Sequence, residues 1–255
     1  MPRQPFKTEC EMSLLYVFAA SGLEGQPVRR IGVPSGSNSA LRCGSNDLVL
    51  ITSGMGPVNA RKKAEAALIS SVRPPAPKPD VVLIIGLCGG LTPSLPERRI
   101  VAYTECRVTD TKKPSLRCSR PIIDSVIDLL KESSIFCDRV VGITAPQIAT
   151  TPDKRRTLAQ HGAAVVDMET YVILETAAAA GISAAALRVI SDSFYRELPD
   201  FNRAWRDDGT FDGWKALEVA LGSPLRTAKM LAANKRAMQG LSKALDVVLK
   251  APCFA

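Results

Sequence analysis

The stretch AAVVDMETYVILETAAAAGISAAALRVISD, residues 163–192, decides the fold. Ala163–Val166 reads as a short buried strand. The run from Glu169 through Ala180 has the length and alanine content of a helix, and Gly181 ends it. ISAAALRVI then reads as a second buried strand, closed by Ser191 and Asp192. Strand, helix, strand in thirty residues is the unit of an α/β sheet. Asp192 raises a question, because aspartate is a poor strand former. It serves there either as a turn cap or as an acid held at the mouth of a site.

Working outward, the same alternation continues. SLLYVFAA (13–20), DLVLITS (47–53), VVLIIG (81–86), RRIVAYTECRV (98–108) and CDRVVGIT (137–144) read as strands. VVLIIG is apolar on both faces, as in a parallel or mixed sheet. GMGPVNARKKAEAALISSV opens with glycines and becomes a helix. PIIDSVIDLLKES (121–133) is amphipathic, with Pro121 suited to its first turn. In TPDKRRTLAQHG, Thr151 can cap a short helix that Gly162 ends. RPPAPKPD (73–80) is a stiff connector. Near the end, Leu231, Met238, Leu241, Leu245 and Val248 form an apolar stripe at helical spacing, which predicts a core-facing helix. The expected architecture is one domain over residues 1–255, an α/β/α sandwich around a central mixed, twisted sheet. Residues 213–250 form a basic helical extension.

Composition limits what such a domain does. The chain has 255 residues and is 46% hydrophobic, enough for one large core. No apolar stretch is long enough to span a bilayer, and the first strand lacks the flanks of a signal peptide. Seven cysteines fall at irregular positions with no C-x-x-C pair, which suits free thiols in a reducing cytoplasm. The single histidine, His161, speaks against a zinc hydrolase or a histidine-based triad, and no metal or organic cofactor is implied. Of the net charge of +8, residues 213–250 carry +5, from seven Lys or Arg against Glu218 and Asp246. Such a surface suits an anionic partner. Few aromatics and no RNA-binding motif argue against nucleic acid. The charge is read first as a solvated helical face, and alternatively as a peripheral contact with a lipid surface, on the inner membrane for a cytoplasmic chain.

Open α/β sheets bind ligands just beyond their strands. Four segments place polar groups there: TSGMGPVNA, GLCGGL, VVDMET and RVISD. Gly86, Gly89 and Gly90 let backbone approach a ligand, but they do not spell a dinucleotide or P-loop motif. Glu169 alone is explained by a helix dipole, worth about 0.3–1 kcal/mol. Asp192 alone is explained by a turn. Together with the glycine segments, two acids suggest more: one to accept both hydroxyls of a sugar, the other to protonate a leaving group.

SGMGPVNA, IIGLCGGLTPSL, VVDMET and LRVISD, in this order, resemble the purine nucleoside phosphorylase and methylthioadenosine/S-adenosylhomocysteine nucleosidase superfamily over roughly residues 13–195. The later stretch SFYRELPDFNRAWRDDGTFDGWKALEVALGSPLRTAKMLAANKRAM is similar to the hopanoid-associated phosphorylases, for which adenosylhopane is the implied substrate. The resemblance implies cleavage of a purine N-glycosidic bond. It makes Asp192 the general acid at purine N7, Glu169 the carboxylate on the ribose hydroxyls and Met168 the residue packed on the ribose. Gly54, Met55 and Gly56, with Gly86, Cys88, Gly89 and Gly90, form the loops around the sugar and the nucleophile. Glu24, in SGLEG, falls near the water-activating glutamate of the nucleosidases. The family name favours phosphate as nucleophile, hence phosphorolysis. The usual phosphate-binding Arg and Ser are replaced by Ile84 and Leu87, and the usual Gly-Asp by Arg98–Arg99, which keeps two alternatives open: hydrolysis through Glu24, or a non-catalytic nucleoside-binding module. Homo-oligomers are also implied, since neighbouring subunits often complete the sugar site.

Overall fold

The computed structural model describes residues 13–35, 40–69, 77–206 and 211–251. Cys10, Cys253 and residues 73–76 of the proline-rich connector lie outside them. In chain order the described residues form β1 (Leu14–Ala19), α1 (Gly22–Ile31), β2 (Val33–Pro34), β3 (Ala40–Cys43), β4 (Asn46–Thr52), α2 (Pro57–Leu68), β5 (Val81–Gly90), β6 (Ile100–Val108), β7 (Leu116–Arg117), α3 (Arg120–Glu132), β8 (Cys137–Thr144), α4 (Pro152–Ala159), β9 (Val165–Asp167), α5 (Thr170–Ala179), β10 (Ser183–Asp192), a 3-10 turn (Phe201–Ala204), α6 (Gly213–Gly222) and α7 (Pro224–Val248). The alternation read from 163–192 is present as β9, α5 and β10.

The sheet is mixed. β5 runs parallel to β1 and to β10, and β1 runs parallel to β4. β9 is antiparallel to β5 and parallel to β8, while β6 is parallel to β8 and antiparallel to β10. Because β10 bonds to both β5 and β6, one half of the sheet curls into a closed ring, β5–β10–β6–β8–β9 and back to β5. The other half stays open through β1, β4, β3 and β2. Closure removes the exposed edges of these strands.

Buried apolar residues fill the interior. Val82, Leu83, Ile84 and Ile85 on β5 are all buried, as the two-faced reading of VVLIIG requires. α1 and α3 pack on α7, and α2 packs on α5, giving helical layers around the sheet. Thr151 caps α4 as expected, its side chain accepting from Lys154 N at 3.3 Å.

Two readings change. Leu231 is not core-facing: it is exposed, and Ala233 and Ala237 carry the buried stripe of α7 until Leu241, Leu245 and Val248 take over. Helical spacing gives the face but not where along a long helix the core begins. In addition, α1 is a helix that the sequence reading did not mark, while α6 falls within the helical extension expected over 213–250.

Arg98 and Arg99 hold the strand junction. Arg98 N donates to Ile190 O at 2.7 Å, and Arg99 O accepts from Ile190 N at 2.9 Å. Arg98 has φ +71°, a left-handed conformation that favours glycine. The Arg99 side chain meets Asp138 at 3.3 Å, on the side of β6 shared with β8. These arginines fasten β6 to β10 just before Ser191 and Asp192.

Candidate active site

Asp192 ends β10 beyond an irregularity in the strand. The pairing with β5 shifts between Ile190 and Asp192, so that Asp192 lies opposite Gly89. Such a bulge re-aims a side chain. The Asp192 carboxyl is nearly enclosed. Ser191 Oγ lies 2.6 Å from its Oδ1 and 3.2 Å from Cys88 O. Its Oδ2 pairs with the guanidinium of Arg155. Arg155 is fully buried, the one buried residue of α4, and its Nη1 also donates to Gly90 O at 3.1 Å. Gly89 is required here: a Cβ would stand 2.9 Å from Asp192 Oδ2 and 3.0 Å from Arg155 Nη1. The Asp192 carboxyl caps no turn. It is held between a serine and a buried arginine.

A second acid cluster lies along β5. Glu24 is the third residue of α1, and a capping box fixes it: Ser21 Oγ accepts from Glu24 N, and Glu24 Oε2 accepts from Ser21 N at 3.1 Å. Its other oxygen, Oε1, accepts from Leu87 N at 2.8 Å. Burial raises the Glu24 pKa, and the charge of Arg188 offsets part of that rise.

Glu169 stands at the start of α5. Its Oε1 accepts from Gly56 N at 2.8 Å, which ties the α2 loop to the α5 loop. Burial pushes its pKa up to about 7 against the opposing pull of Arg188. Asp167 adds to that rise, but the Asp167 carboxylate is itself saturated: Oδ1 accepts from Thr144 Oγ1 at 2.7 Å, Thr170 N at 3.0 Å and Glu169 N at 3.1 Å. Asp167 therefore shapes the β9–α5 turn.

Arg188 links the acids from below. It is buried on β10, with Nη1 donating to Ile85 O at 3.2 Å and Nη2 to Thr170 Oγ1 at 2.8 Å. Nη2 also lies 3.6 Å from Asp167 and 3.8 Å from Glu169. Gly86, at φ +142°, leaves room for this meeting: a Cβ there would be 2.6 Å from both Glu24 Oε1 and Arg188 Nη1. The Arg188 guanidinium offsets part of the burial cost at Glu24 and Glu169.

The remaining candidate residues take distinct positions. Gly54 and Gly56 have φ of +80° and +86°, and the loop they shape delivers Gly56 N to Glu169. A Cβ on Gly56 would lie 3.9 Å from both Met168 Cε and the Trp205 ring. Met168 and Trp205 thus flank the same loop. Met55 is exposed and enters through its carbonyl, which accepts from Asn59 Nδ2 at 3.0 Å. Cys88 contributes backbone, while its thiol is buried beside Tyr103, and burial raises its pKa far above that of a free thiol. Ile84 is a core side chain, so that position offers an anion nothing. Leu87 offers its amide, which Glu24 already occupies.

Arg155, Arg188, Ser191 and Trp205 were not singled out by sequence reasoning. For Glu24 a local signal existed, the S-x-x-E of a capping box in SGLE. For Arg155 no local signal exists, because KRR at 154–156 does not reveal which cation turns inward.

Comparison with known proteins agrees with this geometry. The profile of the phosphorylase superfamily matches residues 19–211. Comparison with curated proteins finds no match. Among solved structures, the Neisseria meningitidis 5'-methylthioadenosine/S-adenosylhomocysteine nucleosidase bound to methylthio-immucillin-A is similar, with a TM-score of 0.71 at 16% identity, covering 94% of this chain and 99% of that one. Futalosine hydrolase of Helicobacter pylori has a TM-score of 0.69 at 14% identity, over 93% and 97%. The nucleosidase of Colwellia psychrerythraea in complex with adenine has a TM-score of 0.70 at 16% identity, over 93% and 95%. At these identities the likeness is one of fold. With the match to more than half of its length and the acids gathered on that fold, the chain is an enzyme of the phosphorylase superfamily.

Proposed function

We propose that the chain cleaves the N-glycosidic bond of a purine nucleoside by hydrolysis. The observation that carries this reading is Glu24: a buried carboxylate whose Oε1 holds the Leu87 amide, close enough to Glu169 to raise its pKa. A phosphate ion entering there would meet two acids and an amide already taken, whereas anions need free cationic or N–H partners. Water faces no such penalty, and a glutamate raised by burial suits a general base.

The steps balance. Glu169 accepts the ribose hydroxyls and favours positive charge on the sugar as the bond from C1′ to N9 lengthens. Electron density moves onto the purine, N7 becomes more basic, and Asp192 gives it a proton. Arg155 then stabilises the carboxylate left behind. Water attacks C1′ and passes a proton to Glu24. The products are a free base and a free sugar. Met168 and Trp205 supply apolar surface beside the Gly56 loop, as a sugar face needs.

The test is base release from adenosine, methylthioadenosine and adenosylhopane, each with and without phosphate, in water enriched in the heavy oxygen isotope. Equal release without phosphate, with the isotope at C1′, is expected from whichever substrate fits. Glu24→Gln should lower kcat by about 10²–10⁴-fold, with the circular dichroism spectrum unchanged. Release that requires phosphate and yields a sugar 1-phosphate would replace this reading with phosphorolysis.

A further inference from the structure

α6 has no buried residue. Its Trp214, Leu217 and Leu221 are 83%, 48% and 70% exposed, and Leu225 and Leu231 on α7 are 77% and 58% exposed. Trp214, Leu217 and Leu221 are three and four residues apart, so they share one face of the helix. α6 leans on the 3-10 turn of Phe201–Ala204 and on α7 rather than on the sheet. An exposed apolar helix face of this kind marks a place of interaction.

Charge selects the partner. Residues 213–236 contain Lys215, Arg226, Lys229, Lys235 and Arg236 against Glu218. Arg226 reaches out to Glu197 at 2.5 Å, and the other four cations, with Arg226, are exposed. A second copy of the chain placed symmetrically on this face would bring cation against cation, which costs affinity. A surface that is apolar within and anionic at its boundary satisfies both features. Tryptophan and leucine enter the acyl boundary while lysine and arginine meet the headgroups.

We propose that α6 and the first turns of α7 dock the enzyme on an anionic lipid surface. Trp214 and Leu221 insert, and Lys215 and Lys229 contact headgroup phosphates. The inference stands apart from the nucleosidase reading, because its readout is partition rather than base release.

The experiment is co-sedimentation of the full chain with vesicles of phosphatidylcholine and phosphatidylglycerol, and with vesicles of phosphatidylcholine alone, at low and high salt. Binding to the anionic vesicles at low salt, lost at high salt, is expected. Lys215→Gln with Lys229→Gln should weaken it roughly 30-fold. Leu217→Ser with Leu221→Ser should abolish it, and neither pair disturbs the fold because all four side chains are exposed. In a Trp205→Phe background the remaining Trp214 fluorescence should shift to the blue on binding. Protein left in the supernatant at low salt overturns the proposal. So does a sedimentation-velocity dimer that Leu221→Ser dissociates, since the face would then belong to a second copy.

Discussion

Glu169 shows how a single residue sets pH behaviour, and Arg155 how one residue positions another. Burial raises the Glu169 pKa to about 7, and the ribose needs the ionised form. Activity should therefore rise with pH through about 7, and Glu169→Gln should remove this acid limb along with most of the turnover. The stability sign is opposite. A folded pKa above the unfolded one contributes stability that is present below about 4.5 and lost as pH rises through about 7. Thermal melts from about pH 4 to about pH 9 should show that loss in the wild type and not in Glu169→Gln. Arg155 acts through another group. Arg155→Met removes the cation that holds Asp192 Oδ2, so kcat should fall while KM changes little. Arg155→Lys should restore part of the lost kcat. The melting temperature should also fall, because breaking a buried pair costs about 3–5 kcal/mol. An unchanged kcat would reduce Arg155 to a packing role. Of these residues, Glu169 and Asp192 are legible in sequence because each ends a recognisable strand or opens a helix. Arg155 and Arg188 are not, since a cation on a helix or strand gives no local sign of being buried.

At the scale of elements, two glycines make opposite predictions. Gly142 on β8 faces Tyr103 on β6, and a Cβ there would lie 2.1 Å from the ring. Tyr103 is fully buried, so the ring has nowhere to move. Gly142→Ala should destabilise by at least about 1–3 kcal/mol in urea unfolding, the usual cost of overpacking. Gly240 lies inside α7, where the nearest atoms to an added Cβ are 3.8 Å away. Gly240→Ala should stabilise by about 0.5–1 kcal/mol, because alanine loses less backbone entropy in a helix. A lower melting temperature for Gly240→Ala would mean that α7 packs more tightly than its spacing indicates. The same contrast explains how far elements could be read. β8 and α3 follow from apolar pattern almost residue for residue, 137–144 and 120–132 against expectations of 137–144 and 121–133. α1 did not, because Gly25 and Pro27 interrupt the helical pattern of Gly22–Ile31.

For the whole molecule, the decisive event is closure. β10 is parallel to β5 and antiparallel to β6, and it joins the two ends of the ring. That places Ser191 and Asp192 beside Cys88 and Gly89, and Arg188 beneath Glu24 and Glu169. The amino-acid sequence by itself determined the α/β class, the alternation of the principal strands and helices, the special glycines and the acids at strand ends, because these depend on steric and apolar patterns a few residues long. Only the tertiary structure decided that the sheet closes, that Arg155 and Arg188 turn inward, that Glu24 takes the Leu87 amide, and that α6 keeps its tryptophan and leucines in the open. Each of these is a pairing or an exposure fixed by residues tens to more than a hundred positions apart. Their energies come from burial and charge shared across the fold, which no local pattern encodes.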